Sequence, residues 1–405
     1  MSSEETSTVF CPNCGRAYDV PAGSTRTKAR CKCGCKFNLA TGEVIDQDTS
    51  PGATPPPPAC SLPARAPKET PHGVTTDGDA LAQVEALGRT KDALLVEVGK
   101  AIIGQKDVLN QILVAFFARG HCLLMGVPGL AKTLMVHSLA QTMRLEFKRI
   151  QFTPDLMPTD ITGTHILQRD HDTGDRRFVF QKGPVFTNVL LADEINRTPP
   201  KTQAALLEAM QERKVTASGE THSLPSPFLV LATQNPLELE GTYPLPEAQL
   251  DRFLLLVKVD YPNLEEEQQI LMSTTGRDGE SLKSLLDART VLSFQDLVRR
   301  VPVSEHVAQY AARLCRATRP QIDEAPELVR KYVRFGSGPR AGQSLILAAK
   351  AHVVLQGRFN VSCDDIRAYA LPEMRHRVIL NFAAASEGLD ADAVIQKLLE
   401  AVSET

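Results

Sequence analysis

The chain has 405 residues, 42% of them hydrophobic, with 48 acidic against 45 basic side chains. That length suits two or three domains with sizeable cores, and a net charge of −3 argues against binding polyanions through the overall field. Met1 to Phe10 has no apolar signal segment and no apolar run approaches the ~18 residues of a membrane span, so a soluble, cytoplasmic protein is expected.

Five of the nine cysteines crowd into the first forty residues, as Cys11-Pro-Asn-Cys14 and Cys31-Lys-Cys33-Gly-Cys35. In a reducing compartment such clustering points to metal rather than disulfides. Two thiolates on one tight turn can share a tetrahedral Zn²⁺. Cys11 and Cys14 form one half of a zinc-ribbon-like module over residues 1–39. Cys31 and Cys33 are the preferred other half, with Cys35 spare, and a redox or free-thiol cluster is the alternative. Arg16, Arg26, Lys28, Arg30, Lys32 and Lys36 against Asp19 leave this module basic, either as a docking face or as a solvated surface. Residues 40–79 carry Pro55 to Pro58 in a row, with Pro51, Pro63, Pro67 and Pro71 nearby, which reads as a semi-extended spacer.

From Ala80 the pattern is helical, with Leu81, Val84, Leu87, Leu94, Leu95 and Val98 at three-to-four spacing. Ile102-Ile103-Gly104-Gln105 interrupts it before a second amphipathic helix through Val108, Ile112 and Phe116. An apolar-Gly-Gln segment upstream of a phosphate loop is where many ring ATPases touch adenine, so Gly104 and Gln105 are candidate base contacts. His121 to Met125 is an apolar strand, and Leu134 to Met143 a helix. Between them lies Gly126-Val127-Pro128-Gly129-Leu130-Ala131-Lys132-Thr133, which follows G-x-x-x-x-G-K-[ST] except that Ala131 replaces the second glycine. Turned N–H groups and a helix N-terminus make such a loop a phosphate cradle. Lys132 is expected to reach the β- and γ-phosphates of ATP and the Thr133 hydroxyl to hold Mg²⁺. Alanine at 131 implies an ordinary negative φ there.

Four more near-continuous apolar runs follow: Phe147–Thr153, Thr187–Asp193, Phe228–Asn235 and Phe253–Val259. Such runs suit strands buried on both faces of a parallel sheet, separated by helical crossovers. Thr164–Gln168 and Arg177–Gln181, flanking Asp172-Thr-Gly-Asp175, read as a β-hairpin. This α/β core over residues 80–262 is followed by helical patterns alone, a helical lid over 263–405.

The chemistry-bearing residues fall at strand ends. Asp193 closes a buried strand and is a candidate for the Mg²⁺ shell, with Glu194 beside it to polarise the attacking water. Asn235 ends the next strand, where it can position that water. Arg252, just before the fifth strand, can reach a neighbouring subunit's γ-phosphate, unless it pairs locally with Asp251. Arg340 follows Pro339 at the start of a helix and could point back at the nucleotide.

These motifs together resemble the MoxR family of AAA+ ATPases. The resemblance rests on the phosphate loop with its alanine, Phe152-Thr-Pro-Asp-Leu-Met-Pro-Thr-Asp-Ile-Thr-Gly163, Leu190-Leu-Ala-Asp-Glu-Ile-Asn-Arg197, Gln203 to Glu212, Ala232-Thr-Gln-Asn-Pro236 and Leu245 to Phe253. It spans about Leu81 to Ala385. It implies a five-stranded sheet in the order 5-1-4-3-2 with a hairpin insert in helix 2, a helical lid, and homo-oligomeric rings, usually hexamers. It also implies chaperone-like work on client proteins: metal or cofactor insertion or complex assembly, commonly with a von Willebrand factor A partner. By the same resemblance Asn235 is sensor 1, Arg252 the arginine finger and Arg340 sensor 2, although Phe335-Gly-Ser-Gly-Pro-Arg only approximates the family's Gly-Ala-Ser-Pro-Arg. The zinc module and proline spacer are additions to the family pattern. Two other readings compete: a nucleic-acid-directed regulator that uses the zinc ribbon for binding, which the net charge and the 5% aromatic content disfavour, and a non-hydrolysing ATP sensor.

Overall fold

A computed structural model describes residues 6–10, 17–21, 28–30, 36–38, 44–46, 77–169, 176–217, 219–237, 241–275 and 281–404. The chain forms two compact units, Met1–Val74 and Thr75–Thr405. In the first, Thr6–Phe10 pairs antiparallel with Ala17–Pro21, and Lys28–Arg30, Lys36–Asn38 and Val44–Asp46 form a three-stranded antiparallel sheet. Val44–Asp46 falls within the stretch read as spacer; the prolines begin only beyond it. Cys11, Cys14, Cys31, Cys33 and Cys35 lie outside the described residues.

In the second unit, helices α1 (Asp77–Val98) and α2 (Lys106–Phe117) lead into five strands. These are β1 (Cys122–Met125), β2 (Phe147–Gln151), β3 (Val189–Asp193), β4 (Leu229–Gln234) and β5 (Leu255–Lys258), all parallel and ordered β5-β1-β4-β3-β2. Alternate side chains feed opposite faces, as a pleated strand requires. Cys122, Leu124, Val189, Leu191, Leu229, Leu231, Leu255 and Val257 join the core on one face. Leu123, Leu190, Ala192, Val230, Ala232 and Leu256 join the core on the other. Burial on both faces explains the unbroken apolar runs in the sequence. Crossover helices are α3 (Lys132–Thr142), α4 (Pro158–Thr162), α5 (Pro200–Glu212) and the one-turn α6 (Glu247–Leu250).

Two hairpins project from this core. Gly163–Arg169 pairs with Arg176–Lys182, and its turn lies outside the described residues. A second, Lys214–Ala217 with Glu220–Ser223, has a readable signal in the alternating Val-Thr-Ala ahead of Ser218-Gly219. The Phe180 ring of the first stacks on His222 of the second at 4.1 Å.

Eight helices complete this unit among the described residues: α7 (Leu264–Thr274), α8 (Ala288–Arg300), α9 (Glu305–Ala317), α10 (Glu327–Tyr332), α11 (Pro339–Leu355), α12 (Cys363–Met374), α13 (Phe382–Ser386) and α14 (Ala391–Ala401). Their starts are chemically marked. Asn263 and Glu266 form a reciprocal cap on α7, and Ser362 and Asp365 one on α12. α11 is the central helix and packs on α1, α2, α8, α9 and α12. Its buried Leu345, Ala348, Ala349 and Val353 belong to the same apolar core as β1 and β5.

His121, immediately before β1, is buried, accepts from the Val230 N–H through Nδ1 (3.0 Å) and turns Nε2 to the Met210 carbonyl (3.2 Å). That pairing requires the neutral ring, and burial pushes its pKa down to about 4. Because the folded value lies below the unfolded one, this contribution is complete above pH 6.5 and is lost as the pH falls toward 4. It amounts to about 3 kcal/mol at the acid limit. Denaturant melts between pH 7 and 4 should show the loss, with a shallower slope in His121→Gln.

Candidate nucleotide site

The loop Gly126 to Ala131 connects the carboxyl end of β1 to the start of α3. Gly126 has no room for a side chain, since a Cβ there would stand 2.6 Å from the Val259 carbonyl oxygen beyond β5. Its N–H donates to Gln234 O at the end of β4 (3.3 Å), which ties the loop to the sheet. Gly129 has φ +88°. Ala131 differs from the sequence expectation: its φ and ψ are 52° and 23°, left-handed. The turn that aims successive N–H groups into one concavity sets this conformation, and alanine bears a strain of about 1–2 kcal/mol for it. Ala131→Gly should therefore keep the loop and raise unfolding stability by up to about 1 kcal/mol, once glycine's larger unfolded-state entropy is deducted. Thermal melts with and without nucleotide would read this.

Lys132 Nζ donates to the carbonyls of Gly126 and Val127, the latter at 3.1 Å. Burial lowers its pKa, opposed by the nearby charges of Asp193 and Glu194. The structure thus gathers Lys132 and the acidic pair at one end of the sheet. Thr133 is half-buried in the first turn of α3.

Asp193 ends β3, and Glu194 follows in a left-handed conformation (φ 58°). Thr233 of β4 holds both residues, donating to Asp193 Oδ1 (2.5 Å) and accepting from the Glu194 N–H (2.8 Å). From β2, Arg149 donates to Asp193 Oδ2 through Nη2 (2.6 Å) and Nε (3.0 Å). Gln151 Nε2 donates to Glu194 Oε2 (2.7 Å), which also pairs with Arg197 Nε at 3.2 Å. The sequence reading missed Arg149, Gln151 and Thr233. The pairing of Gln151 with Asp193 in the parallel register puts them beside the acids, and polar residues ending an otherwise apolar strand were the available signal. Asn235 is buried just past β4, and its Oδ1 accepts from the Leu237 N–H (3.1 Å).

Beside the loop lies an apolar cavity of about 340 Å³ lined by Ile102, Ile103, Gln105, Pro128 to Ala131, Tyr261, Ile270 and Leu271. Its walls come from the α1–α2 connection, the phosphate loop and α7. Gln105 Nε2 donates to Asp260 O (2.8 Å), so this side chain braces the wall. Gly104 admits the Glu266 carboxylate, which a Cβ would meet at 2.5 Å. The cavity suits a flat heteroaromatic ring adjoining a phosphate cradle.

Arg252 and Arg340 are elsewhere. β5 runs parallel to β1 with Leu255 opposite Cys122, so Asp251 and Arg252 sit at the amino ends of these strands, away from the loop. Asp251 does not pair with Arg252. It accepts from Arg340 Nη1 (3.0 Å) and Arg377 Nε (2.8 Å), while Arg252 is half-exposed and has no side-chain partner among the described residues. Arg340 is therefore not turned back on its own nucleotide site, because the Asp251 carboxylate holds it at the opposite end of the sheet.

Comparison with known proteins agrees with this geometry. Residues 121–255 match the family model of ATPases associated with various cellular activities, and residues 325–398 match the AAA lid domain. The chaperone MoxR1 of Mycobacterium tuberculosis is 42% identical over 78% of this chain and 82% of its own length. The protein MoxR of Paracoccus denitrificans is 31% identical over 75% of this chain and 92% of its own. A crystal structure from Cytophaga hutchinsonii, assigned as an ATPase, superposes with a TM-score of 0.75 at 41% identity, covering 80% of this chain and 98% of that one. A phosphate loop, an acidic strand end and an apolar cavity meet at one end of a five-stranded parallel sheet, and on these matches the chain belongs to the MoxR family of AAA ATPases and hydrolyses ATP.

Proposed function

We propose that the chain works as a homo-oligomeric ring, hexameric by family resemblance, whose ATP sites are shared between adjacent copies. The observation that carries this reading is Arg252: a half-exposed guanidinium with no side-chain partner among the described residues, at the end of the sheet opposite its own phosphate loop. Within a site, Gly126, Pro128, Gly129, Leu130, Ala131 and Lys132 cradle the phosphates and the apolar cavity takes the adenine. The donor set of Thr133 hydroxyl and Asp193 carboxylate is hard oxygen and fits Mg²⁺, which would screen charge on the phosphates. Glu194 accepts a proton from the attacking water, which Asn235 helps to orient. Arg252 of one copy offsets charge at the γ-phosphate bound by the next. Arg340, joined to it through Asp251, belongs to the same presented face rather than to the cis site.

The work drawn from hydrolysis is remodelling or assembly of client proteins, with a von Willebrand factor A-type protein as the partner and metal or cofactor insertion among the tasks. The MoxR-named relatives support the chaperone reading. The boundaries 1–39, 40–79, 80–262 and 263–405 are proposed as ribbon, spacer, ATPase core and lid, with Zn²⁺ held by Cys11, Cys14, Cys31 and Cys33. Among the described residues no group of three or more His, Cys, Asp or Glu could hold a metal, and the four cysteines lie outside them. No helix among those residues is long and apolar enough to cross a membrane, which is compatible with a cytoplasmic site of action. The test is capture of partners by Glu194→Gln protein in ATP against ADP, with and without residues 1–79. An ATP-dependent von Willebrand-type partner supports the reading. Nucleotide-independent capture of nucleic acid alone overturns it.

A further inference from the structure

β5 is the edge strand of the sheet, so its outward carbonyls have no neighbouring strand to accept from. Three consecutive side chains in the turn just after α12 cap that edge and the segment leading into it. Arg375 Nη1 donates to Leu256 O (3.3 Å), and His376 Nε2 lies 3.1 Å from Phe253 O. Arg377 Nη2 donates to Phe253 O (2.8 Å) and Asp251 O (3.2 Å). Arg377 does more than cover the edge. Its Nε donates to Asp251 Oδ1 (2.8 Å), and its Nη1 reaches Leu254 O (3.5 Å) and the Glu373 carboxylate. Only 3% of the side chain is exposed, so these charge-assisted bonds form out of water, where they are strong. Every backbone group it touches in this turn lies within two residues of Arg252, and its contacts include both chain neighbours of that residue.

We propose that Arg377 is the positioning residue for Arg252, fixing the turn on either side of it so that its guanidinium extends at a set angle toward the adjoining copy. The proposal rests on the shared-site reading given above. Arginine suits the task because five donors in a rigid fork satisfy a carboxylate and several carbonyls at once, whereas a lysine offers three donors from a single point. Asp251 is also held by Arg340 from α11, so one lid helix and the turn that follows another fix it together. A displacement of the lid relative to β5 therefore moves Arg252, and the lid of one copy adjusts catalysis in the next.

The test uses full-length Arg377→Lys, alone and mixed in equal amounts with Glu194→Gln. Alone, its turnover at saturating ATP should fall by about tenfold or more, since misplacing a catalytic group by about 1 Å costs up to about 100-fold. Its KM for ATP should stay within about twofold of wild type. Mixing should recover activity, because each intact Arg377→Lys site then meets a well-held Arg252 from a Glu194→Gln neighbour. Random assembly of a ring puts about a quarter of all sites in that arrangement. A merely structural role for Arg377 would lower activity without rescue in the mixture. An Arg252→Ala mixture measured in parallel separates the two ideas. If it recovers and the Arg377→Lys mixture does not, the positioning role is overturned. If neither recovers, the shared-site reading fails and the proposal with it. Should Arg377→Lys not fold, Asp251→Asn removes the same carboxylate contact from a half-exposed side chain, and the same rescue is expected from a smaller initial loss.

Discussion

Glu194→Gln is expected to reduce ATP turnover by about three orders of magnitude, within the range that loss of a general base produces, while ATP affinity stays within about twofold. Two observations set that separation. Glu194 acts on the phosphate loop only through its charge near Lys132, while the loop's shape depends on Gly126, Gly129 and the Ala131 turn. Its position is fixed by its own backbone, through the Thr233 hydroxyl, so glutamine can occupy the same place. Gln151 and Arg197 both donate to the carboxylate, and the Gln151 bond can be made equally to an amide oxygen. The substitution therefore removes a proton acceptor without emptying a pocket. Single-turnover hydrolysis and equilibrium binding of a labelled nucleotide would measure both halves. Near-wild-type hydrolysis would move the base elsewhere, and a large loss of affinity would mean that Glu194 shapes the cradle.

Arg252→Ala should lower turnover by a similar or larger amount, about a thousandfold, as removal of an arginine finger does in other phosphoryl-transfer enzymes, again with ATP still bound. The expectation depends on where the arginine is. At the amino end of β5 it cannot serve the phosphate loop at the carboxyl end of β1, so its loss leaves its own site's cradle intact. Its neighbour Asp251 is fully engaged by Arg340 and Arg377, so removing Arg252 frees no buried charge, and melting temperature should change little. A thousandfold loss of rate with unchanged stability and unchanged ATP binding is a pattern that a structural arginine does not give.

Much of this site can be read directly from the residues. The phosphate loop, the Asp193–Glu194 strand end and Asn235 carry their chemistry in contiguous sequence, because each is a strand end followed by a turn. The apolar runs of β1, β3, β4 and β5 declare strands covered on both faces. What the sequence hides is long-range. Arg149 and Gln151 reach the acidic pair only through the parallel register of β2 and β3, more than forty residues apart. Tyr261, Ile270 and Leu271 join Ile102 and Ile103 only when α7 folds beside the loop. Arg340 illustrates the limit most clearly. Its place at a helix start is legible, yet its partner is decided by how α11 and α12 dock on β5, and that docking delivers it to Asp251. Ala131 was misjudged for a local reason: its side chain suggests a negative φ, but the loop's need to turn its N–H groups inward overrides that preference at modest strain. The Val44–Asp46 strand was masked by the composition of the proline-rich stretch that follows it.

If one ATP site needs two copies of the chain, ATP turnover should return in an equal mixture of Glu194→Gln and Arg252→Ala proteins, each expected to be inactive alone. Sites that combine Glu194 from one copy with Arg252 from the next make up about a quarter of all sites in a randomly assembled ring, so turnover near a quarter of the wild-type value is expected. A mixture no more active than the sum of its two components would contradict it, because both residues would then have to act within one chain.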